Sequence, residues 1–292
     1  MKNALLKMHL AVFLWGFTGV LGRAIQLSEF PLVWYRTLIT ALIFSVILFF
    51  RKEFKPIPRA ELFKLMGIGS IIAIHWVAFY GAIKYANASI ALTCLATAGI
   101  FTALLEPILL RTKFNIKELV VGVMALIGMY CIYHFDVNYG FGILLGVIAA
   151  CLSAVFTLMN KKIVNNYPAR LVAFTEIGSG FLFLSLLLPF YIHYFPQVSF
   201  KPTQMDWLWL FILSLCCTVW GQSLALSALK KLSSFTTVLM VNLEPVYGII
   251  LAILIFHENK ELGWGFYTGI LLIAASVGLH TYFMARKKTM PE

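Results

Sequence analysis

Apolar runs of about 20 residues, each long enough to cross a bilayer as a helix, follow one another along this chain with short polar breaks between them. Ten such runs stand at residues 6–24, 31–50, 63–83, 88–110, 117–134, 141–160, 170–193, 206–228, 233–256 and 263–284. The pattern predicts an all-α integral membrane protein of ten transmembrane helices. Ten spans take up about 200 residues, so only short loops and two short tails remain. The function must therefore lie among the helices. Composition agrees, because 61% hydrophobic and 12% charged residues fall outside the soluble range.

The basic residues alternate with the spans. With the N-terminus inside, the inner segments hold Lys2, Lys7, Arg51, Lys52, Lys55, Arg59, Lys64, Arg111, Lys113, Lys117, Lys161, Lys162, Arg170, Lys230, Lys231, Arg286, Lys287 and Lys288, which is 18 of 23. The outer segments hold Arg23, Lys84, Lys201 and Lys260, and Arg36 lies within a span. Cytoplasmic loops carry the excess of Lys and Arg. The split therefore predicts a multi-pass protein of the plasma (inner) membrane with both termini cytoplasmic. It also assigns the net charge of +11 to the inner lipid face rather than to nucleic acid. The first span is followed by Arg23-Ala24-Ile25-Gln26 rather than a small-residue cleavage site, so it reads as a transmembrane helix and not a signal peptide. Cys94, Cys131, Cys151, Cys216 and Cys217 all fall in spans. They read as small buried hydrophobes rather than disulfides or metal ligands.

The stretch Phe135 to Gly140 divides the chain into five spans and five, residues 1–135 and 141–292. Residues 79–112 slide without gaps onto 225–258, an offset of 146, placing Ala82-Ile83-Lys84 on Ala228-Leu229-Lys230 and Gly99 on Pro245. Only three of 34 positions are identical, so the repeat is one of hydropathy. An odd number of spans makes the second half enter from the opposite side. Lys84 then lies outside and Lys230 inside. Inverted repeats of this kind predict a pseudo-two-fold axis in the membrane plane and a substrate site near the midplane, reached by alternating access.

Several local patterns carry a family resemblance. They are Leu14-Trp15-Gly16-Phe17 in the first span, Pro31 followed by Arg36 at the second, and Ala82-Ile83-Lys84-Tyr85-Ala86 closing the third. Asn242-Leu243-Glu244-Pro245-Val246 in the ninth, His257-Glu258 at its end and Gly269 in the tenth complete the set. The chain resembles the EamA branch of the drug/metabolite transporter superfamily over its whole length. The resemblance implies a compact ten-helix carrier with a central cavity that opens alternately to each side. Many relatives export amino acids, other metabolites or toxic compounds, and others import sugars, vitamins or nucleotides. One departure is visible: Gly99 stands where the second half has Pro245, so a helix break is expected in span nine but not in span four, where Pro107 follows instead.

A charge at the bilayer centre costs about 3 kcal/mol on insertion scales, so each ionisable group in a span needs a reason. Glu244 lies about a dozen residues into its span, and Pro245 beside it removes one helical hydrogen bond. It is either a protonatable or ligand-contacting group, or a structural carboxylate where the halves meet. His75 is flanked by Trp76, Phe79 and Tyr80, an aromatic wall with two hydrogen-bonding tips suited to an amphipathic solute. The alternative is that the rings pack in the core and His75 bonds a carbonyl. Arg36 either snorkels to the outer interface or faces the cavity and attracts a carboxylate. Glu176 has the same ambiguity, and Glu106 reads as an inner-end group near Arg111. Glu244, His75 and Glu176 are the candidate proton-coupling groups.

Among neutral residues, Trp15, Trp220, Gln222, Asn160 and Asn242 are candidates for the cavity lining. Trp34, Tyr35, Trp207, Trp209 and Trp264 lie near span ends and read as interfacial anchors. Gly67, Gly69, Gly122, Gly128, Gly178, Gly180 and Gly269 suit close helix packing. The substrate cavity is therefore expected to draw on Trp15, Arg36, His75, Trp76, Tyr80, Trp220, Gln222, Asn242 and Glu244. No nucleotide-binding glycine loop, His-Glu-x-x-His or metal-type cysteine spacing occurs, so no catalytic residue, cofactor or metal is expected. The expectation is a secondary carrier that exports amino acids or similar small metabolites, its partners being a small-molecule substrate and the lipid bilayer; the sequence leaves its oligomeric state open, a monomer being compatible with it, and import of a vitamin or nucleoside is the alternative within transport. A membrane-embedded enzyme would need acid, base and nucleophile at one depth, and the ionisable groups here are scattered in depth.

Overall fold

A computed structural model describes residues 2–135, 139–241, 243–257 and 263–287 of the protein. Asn242, most of the expected outer loop at residues 136–138, Glu258, Lys260 and Lys288 lie outside the described residues. The described residues are helical throughout, with no strand among them: α1 (Lys2–Ala24), α2 (Glu29–Arg51), α3 (Arg59–Tyr85), α4 (Ala88–Leu95), α5 (Ala98–Leu110), α6 (Ile116–Phe135), α7 (Gly140–Ile163), α8 (Ala169–Tyr194), α9 (Gln204–Ile212), a π segment (Leu213–Trp220), α10 (Gly221–Leu229), α11 (Ser234–Val241), α12 (Glu244–Phe256) and α13 (Trp264–Lys287). Seven spans are long and apolar enough to cross a membrane: α1, α2, α3, α4–α5 (Ala88–Leu110), α7, α8 and α9–α10 (Gln204–Leu229). In such a solvent backbone groups must be satisfied within the chain, which is why helices fill it.

The expected break in span nine is present between α11 and α12, but the expectation for span four is corrected. Span four breaks as well, between α4 and α5. Each of the four boundaries of α11 and α12 lies 146 positions after the matching boundary of α4 and α5. Both pairs also end on a left-handed residue, Arg111 at φ 55° and His257 at φ 56°. Proline is thus not the sole cause. In span four the backbone tightens to i→i−3 bonds, Ala96 N–H to Thr93 O and Thr97 N–H to Cys94 O. The Thr97 hydroxyl also donates to the Cys94 carbonyl at 2.7 Å. A hydroxyl that takes up a helical carbonyl competes with the regular ladder and bends it. Pro107, by contrast, sits inside an unbroken α5.

Helix pairing is reciprocal between the two sets of five. α3 packs on α7 as α10 packs on α1; α4 and α5 lie against α7 as α12 lies against α1; α2 meets α8, and α6 meets α13. The closest helix approach described is between α3 and α8. A Cβ on Gly69 would fall 2.1 Å from the Glu176 carbonyl and 2.2 Å from the Ser179 hydroxyl, and one on Gly180 would fall 2.8 Å from the Gly69 carbonyl. Gly67 and Gly178 have nothing within 4 Å, so the packing role expected of them is not theirs.

Matching polar clusters stand at the two ends. At one end the Lys84 ammonium donates to the Ile25 carbonyl after α1, and the next amide, Gln26 N–H, donates to Asp206 of α9 at 2.8 Å. Asp206 is 1% exposed and belongs to a capping box with Thr203. At the lysine-rich end Lys230 donates to the Tyr167 carbonyl after α7 at 2.6 Å, and the Tyr167 hydroxyl donates to Glu61 of α3. Lys161 reaches the Leu229 carbonyl at 2.7 Å, and Arg170 pairs with Glu53 at 2.6 Å.

The α3–α8 crossing yields a paired prediction. Gly69→Ala should lower stability by about 1–3 kcal/mol through overpacking. Gly67→Ala, two residues away on an open face, should leave it unchanged or raise it by up to about 1 kcal/mol. Thermal unfolding of the detergent-solubilised variants distinguishes them; equal behaviour of the two would refute the packing assignment.

Candidate functional site

Three helical stripes build a central cavity. Ser153, Phe156, Thr157 and Asn160 on α7, and Gln222, Ala225, Leu226 and Leu229 on α10, both repeat at i, i+3, i+4, i+7 and so line one helix face each. Thr237, Val241 and Glu244 continue the wall across the α11–α12 break, Met8, Trp15 and Thr18 come from α1, and His75, Trp76 and Phe79 from α3. Arg36 of α2 and Leu95 of α4 complete it. The cavity holds about 790 Å³ of empty space, counted out to its open mouth. Its lining runs from Arg36 and Phe79 to Met8, Leu229 and Thr237, toward the lysine-rich end. The last turns at the opposite end contribute nothing to it.

Arg36 is 2% exposed, so it does not snorkel. Its Nε donates to the Thr218 hydroxyl at 2.9 Å and its Nη1 to the Tyr80 hydroxyl at 2.7 Å. The guanidinium lies 3.8 Å from the centroid of the Trp76 ring, a cation–π contact that is strengthened by desolvation. Its Nη2 has no partner among the described residues. Glu244, 5% exposed, accepts from the Thr18 hydroxyl at 3.2 Å. Trp15 donates from Nε1 to the Cys217 carbonyl at 2.8 Å. That carbonyl is freed by the π segment, whose ladder runs i→i−5.

His75 is committed through Nδ1 to the Ala149 carbonyl at 2.7 Å, which makes Nδ1 the protonated nitrogen. Its ring meets Phe156 edge-on at 5.3 Å. Glu176 is fully buried outside the cavity lining. Its neighbours are the side-chain amides of Asn160 and Gln222, yet neither carboxyl oxygen makes a hydrogen bond of good geometry.

The structure therefore brings Trp15, Arg36, His75, Trp76, Gln222 and Glu244 to one space. Tyr80 is corrected from lining to support: it is fully buried behind Arg36 and holds it. Trp220 is corrected further. It is 53% exposed and lines a lateral groove with Leu10, Phe13, Leu14, Arg51 and Arg170. Trp220 stands 146 positions after Ile74, which is itself 42% exposed, whereas Gln222 stands 146 positions after Trp76, which lines the cavity. Asn242 is outside the described residues. The sequence argument missed Thr18, Ser153, Thr157 and Thr218. The first three were detectable as small polar positions in step with Trp15 or Asn160; Thr218 was not, because its orientation comes from the π geometry.

Comparison with known proteins fits this architecture. The model of the EamA-like transporter family matches the chain twice, at residues 2–134 and 140–282. The chain belongs to the EamA-like transporter family. The transporter is similar to the uncharacterized transporter YxxF of Bacillus subtilis (strain 168), with 24% identity over 288 residues, covering 95% of this chain and 89% of that protein. It is also similar to an uncharacterized transporter of Archaeoglobus fulgidus, with 23% identity over 87% of this chain and 88% of that protein. A solved crystal structure shares the fold with a TM-score of 0.69 at 16% identity, covering 99% of this chain and all of the other. As an EamA-like transporter, the protein is a multi-pass membrane protein that handles small molecules within lipid.

Tyr80→Phe tests the support assigned to Arg36. It keeps the ring but leaves a buried guanidinium donor without its acceptor, a loss of about 1–3 kcal/mol. The expected result is a lowered unfolding midpoint in detergent; an unchanged midpoint would remove Tyr80 from the clamp.

Proposed function

We propose that the protein is a secondary carrier of the plasma (inner) membrane that exports amino acids or closely similar small zwitterions. It works by alternating access through the central cavity, between two inverted five-helix repeats at residues 1–135 and 141–292. The observation that carries this reading is the pair Arg36 and Glu244. The two charged side chains belong to one cavity, each is held by neutral partners rather than by the other, and Arg36 keeps Nη2 free. A guanidinium is the natural receptor for a carboxylate, and a carboxylate in a low-dielectric site is the natural receptor for an ammonium. A zwitterion carries both. Trp15 and Phe156 supply apolar surface for the rest of the solute.

Alternating access is supported by the reciprocal helix pairing, by the two helices broken at matching positions and by the matching end clusters. With ten spans and both termini cytoplasmic, as the charge split favours, the lysine-rich end faces the cytoplasm. The cavity then reaches toward the cytoplasm, which is the loading state of an exporter. The Lys84, Ile25, Gln26 and Asp206 cluster closes the outer side. The cavity is complete within one chain, so a monomer suffices.

Three experiments test this reading. Single cysteines introduced at Lys55 and Lys201 should be labelled from opposite sides of the membrane; labelling from the same side would refute the topology. In a thermal-shift screen against a metabolite library, an L-amino acid present at about 100 times its Kd should stabilise the protein by about 2.7 kcal/mol. In proteoliposomes, counterflow of that amino acid should fall at least about tenfold in Arg36→Gln, the effect of losing about 1.4 kcal/mol of binding. It should persist in Trp220→Phe, whose side chain lies outside the cavity. Stabilisation only by solutes lacking a carboxylate would overturn the assignment.

A further inference from the structure

The cavity separates the three candidate proton groups by what each one already does. His75 is tied by Nδ1 to a backbone carbonyl. Glu244 lines the cavity, accepts from Thr18 and is placed for the solute. Glu176 does neither. Both of its oxygens are enclosed and without a hydrogen bond of good geometry, and so is Oδ1 of Asn160 beside it. An ionised carboxylate left in that setting is costly.

We propose that Glu176 is the coupling-proton site of this carrier, one layer behind the substrate site and separated from it by Asn160 and Gln222. This rests on the carrier reading above. Three observations support it. First, Glu176 is fully buried and lines neither the central cavity nor the lateral groove; a proton, unlike a sodium ion, needs no ligand shell there. Second, Asn160 and Gln222 each touch both compartments: they line the cavity and are the polar neighbours of Glu176. A shift of either amide would connect the carboxyl with the water-filled side. Third, Glu176 sits on the close α3–α8 crossing, where a Cβ on Gly69 would fall 2.1 Å from the Glu176 carbonyl, so its backbone packs directly against α3.

No charged group competes for this role from the elements packed around α8. On α3, His75 is bonded to Ala149, and Glu61 is engaged by Tyr167 at the helix end. On α2, Arg36 is held by Thr218 and Tyr80. α10 carries no titratable residue, and Asn160 of α7 is neutral. Glu53, before α3, is paired with Arg170 of α8 itself. The step is a proton transfer alone. The carboxylate takes H⁺ from the outer aqueous side when the cavity faces out and releases it to the cytoplasm when the cavity faces in, against one solute molecule moving the other way.

The test uses purified full-length protein in liposomes, with the amino acid found by the thermal-shift screen, or, failing one, an equimolar mixture of radiolabelled L-amino acids. Wild-type net transport should rise several-fold under an imposed pH gradient. Glu176→Gln keeps the shape and removes the proton: it should lose that response while retaining solute exchange at zero gradient. Glu244→Gln should instead weaken exchange itself. As a readout that needs no solute, the infrared carbonyl band of a protonated carboxyl should be weaker in Glu176→Gln than in wild type, and that difference should titrate with pH. A Glu176→Gln protein that still accumulates solute on the pH gradient would overturn the proposal, as would wild-type transport indifferent to the gradient. Absence of any solute exchange in wild type would instead sink the carrier reading.

Discussion

A guanidinium cannot be buried in an apolar bundle unless its donors and its charge are answered by the protein, and the answer to Arg36 organises the centre of this molecule. Its two bonded nitrogens draw on Tyr80 of α3 and Thr218 of the π segment, and its flat face rests on Trp76. Three helices from two halves of the chain are thereby joined at one side chain. Removing one partner of such a group costs more than the contact was worth, because the remaining charge stays desolvated. The clamp leaves Nη2 without a partner among the described residues.

Around that centre, the design is conservative in its chemistry and varied in its backbone. Walls are made by ordinary α-helical stripes on α7 and α10. Irregular backbone is confined to the α4–α5 break, the α11–α12 break and the π segment. Non-helical backbone at membrane depth is tolerated where protein or a cavity answers its polar groups. Here the Thr97 hydroxyl answers Cys94, and the Trp15 indole answers Cys217.

Much of this was legible in the sequence. Apolar run length located the long helices, and the places of Trp15, Trp76 and Glu244 at the cavity followed from polar or aromatic residues at mid-span. The gap-free slide of 146 even anticipated where α11 and α12 begin and end. Other features were hidden for physical reasons. The break in span four is produced by threonine hydroxyls and has no proline to announce it. Gly67 and Gly69 are indistinguishable by type, yet only one meets another helix. Trp220 was misplaced because a mid-span aromatic does not reveal by its type which helix face it takes.

The π segment has one more consequence. The end clusters match as Glu61 with Asp206, 145 positions apart, and as Lys84 with Lys230, 146 apart. One residue has been gained between those points, and the π segment lies there. A single added residue turns an α-helix by about 100°; a wide turn absorbs it without a gap in the backbone ladder. The extra residue has therefore been accommodated as a change of phase. Past it, the face that carries Gln222 is set independently of the face that carries Asp206. The same latch geometry can be kept at the outer end while the cavity wall below is re-aimed, a freedom that the straight helix α3 does not have.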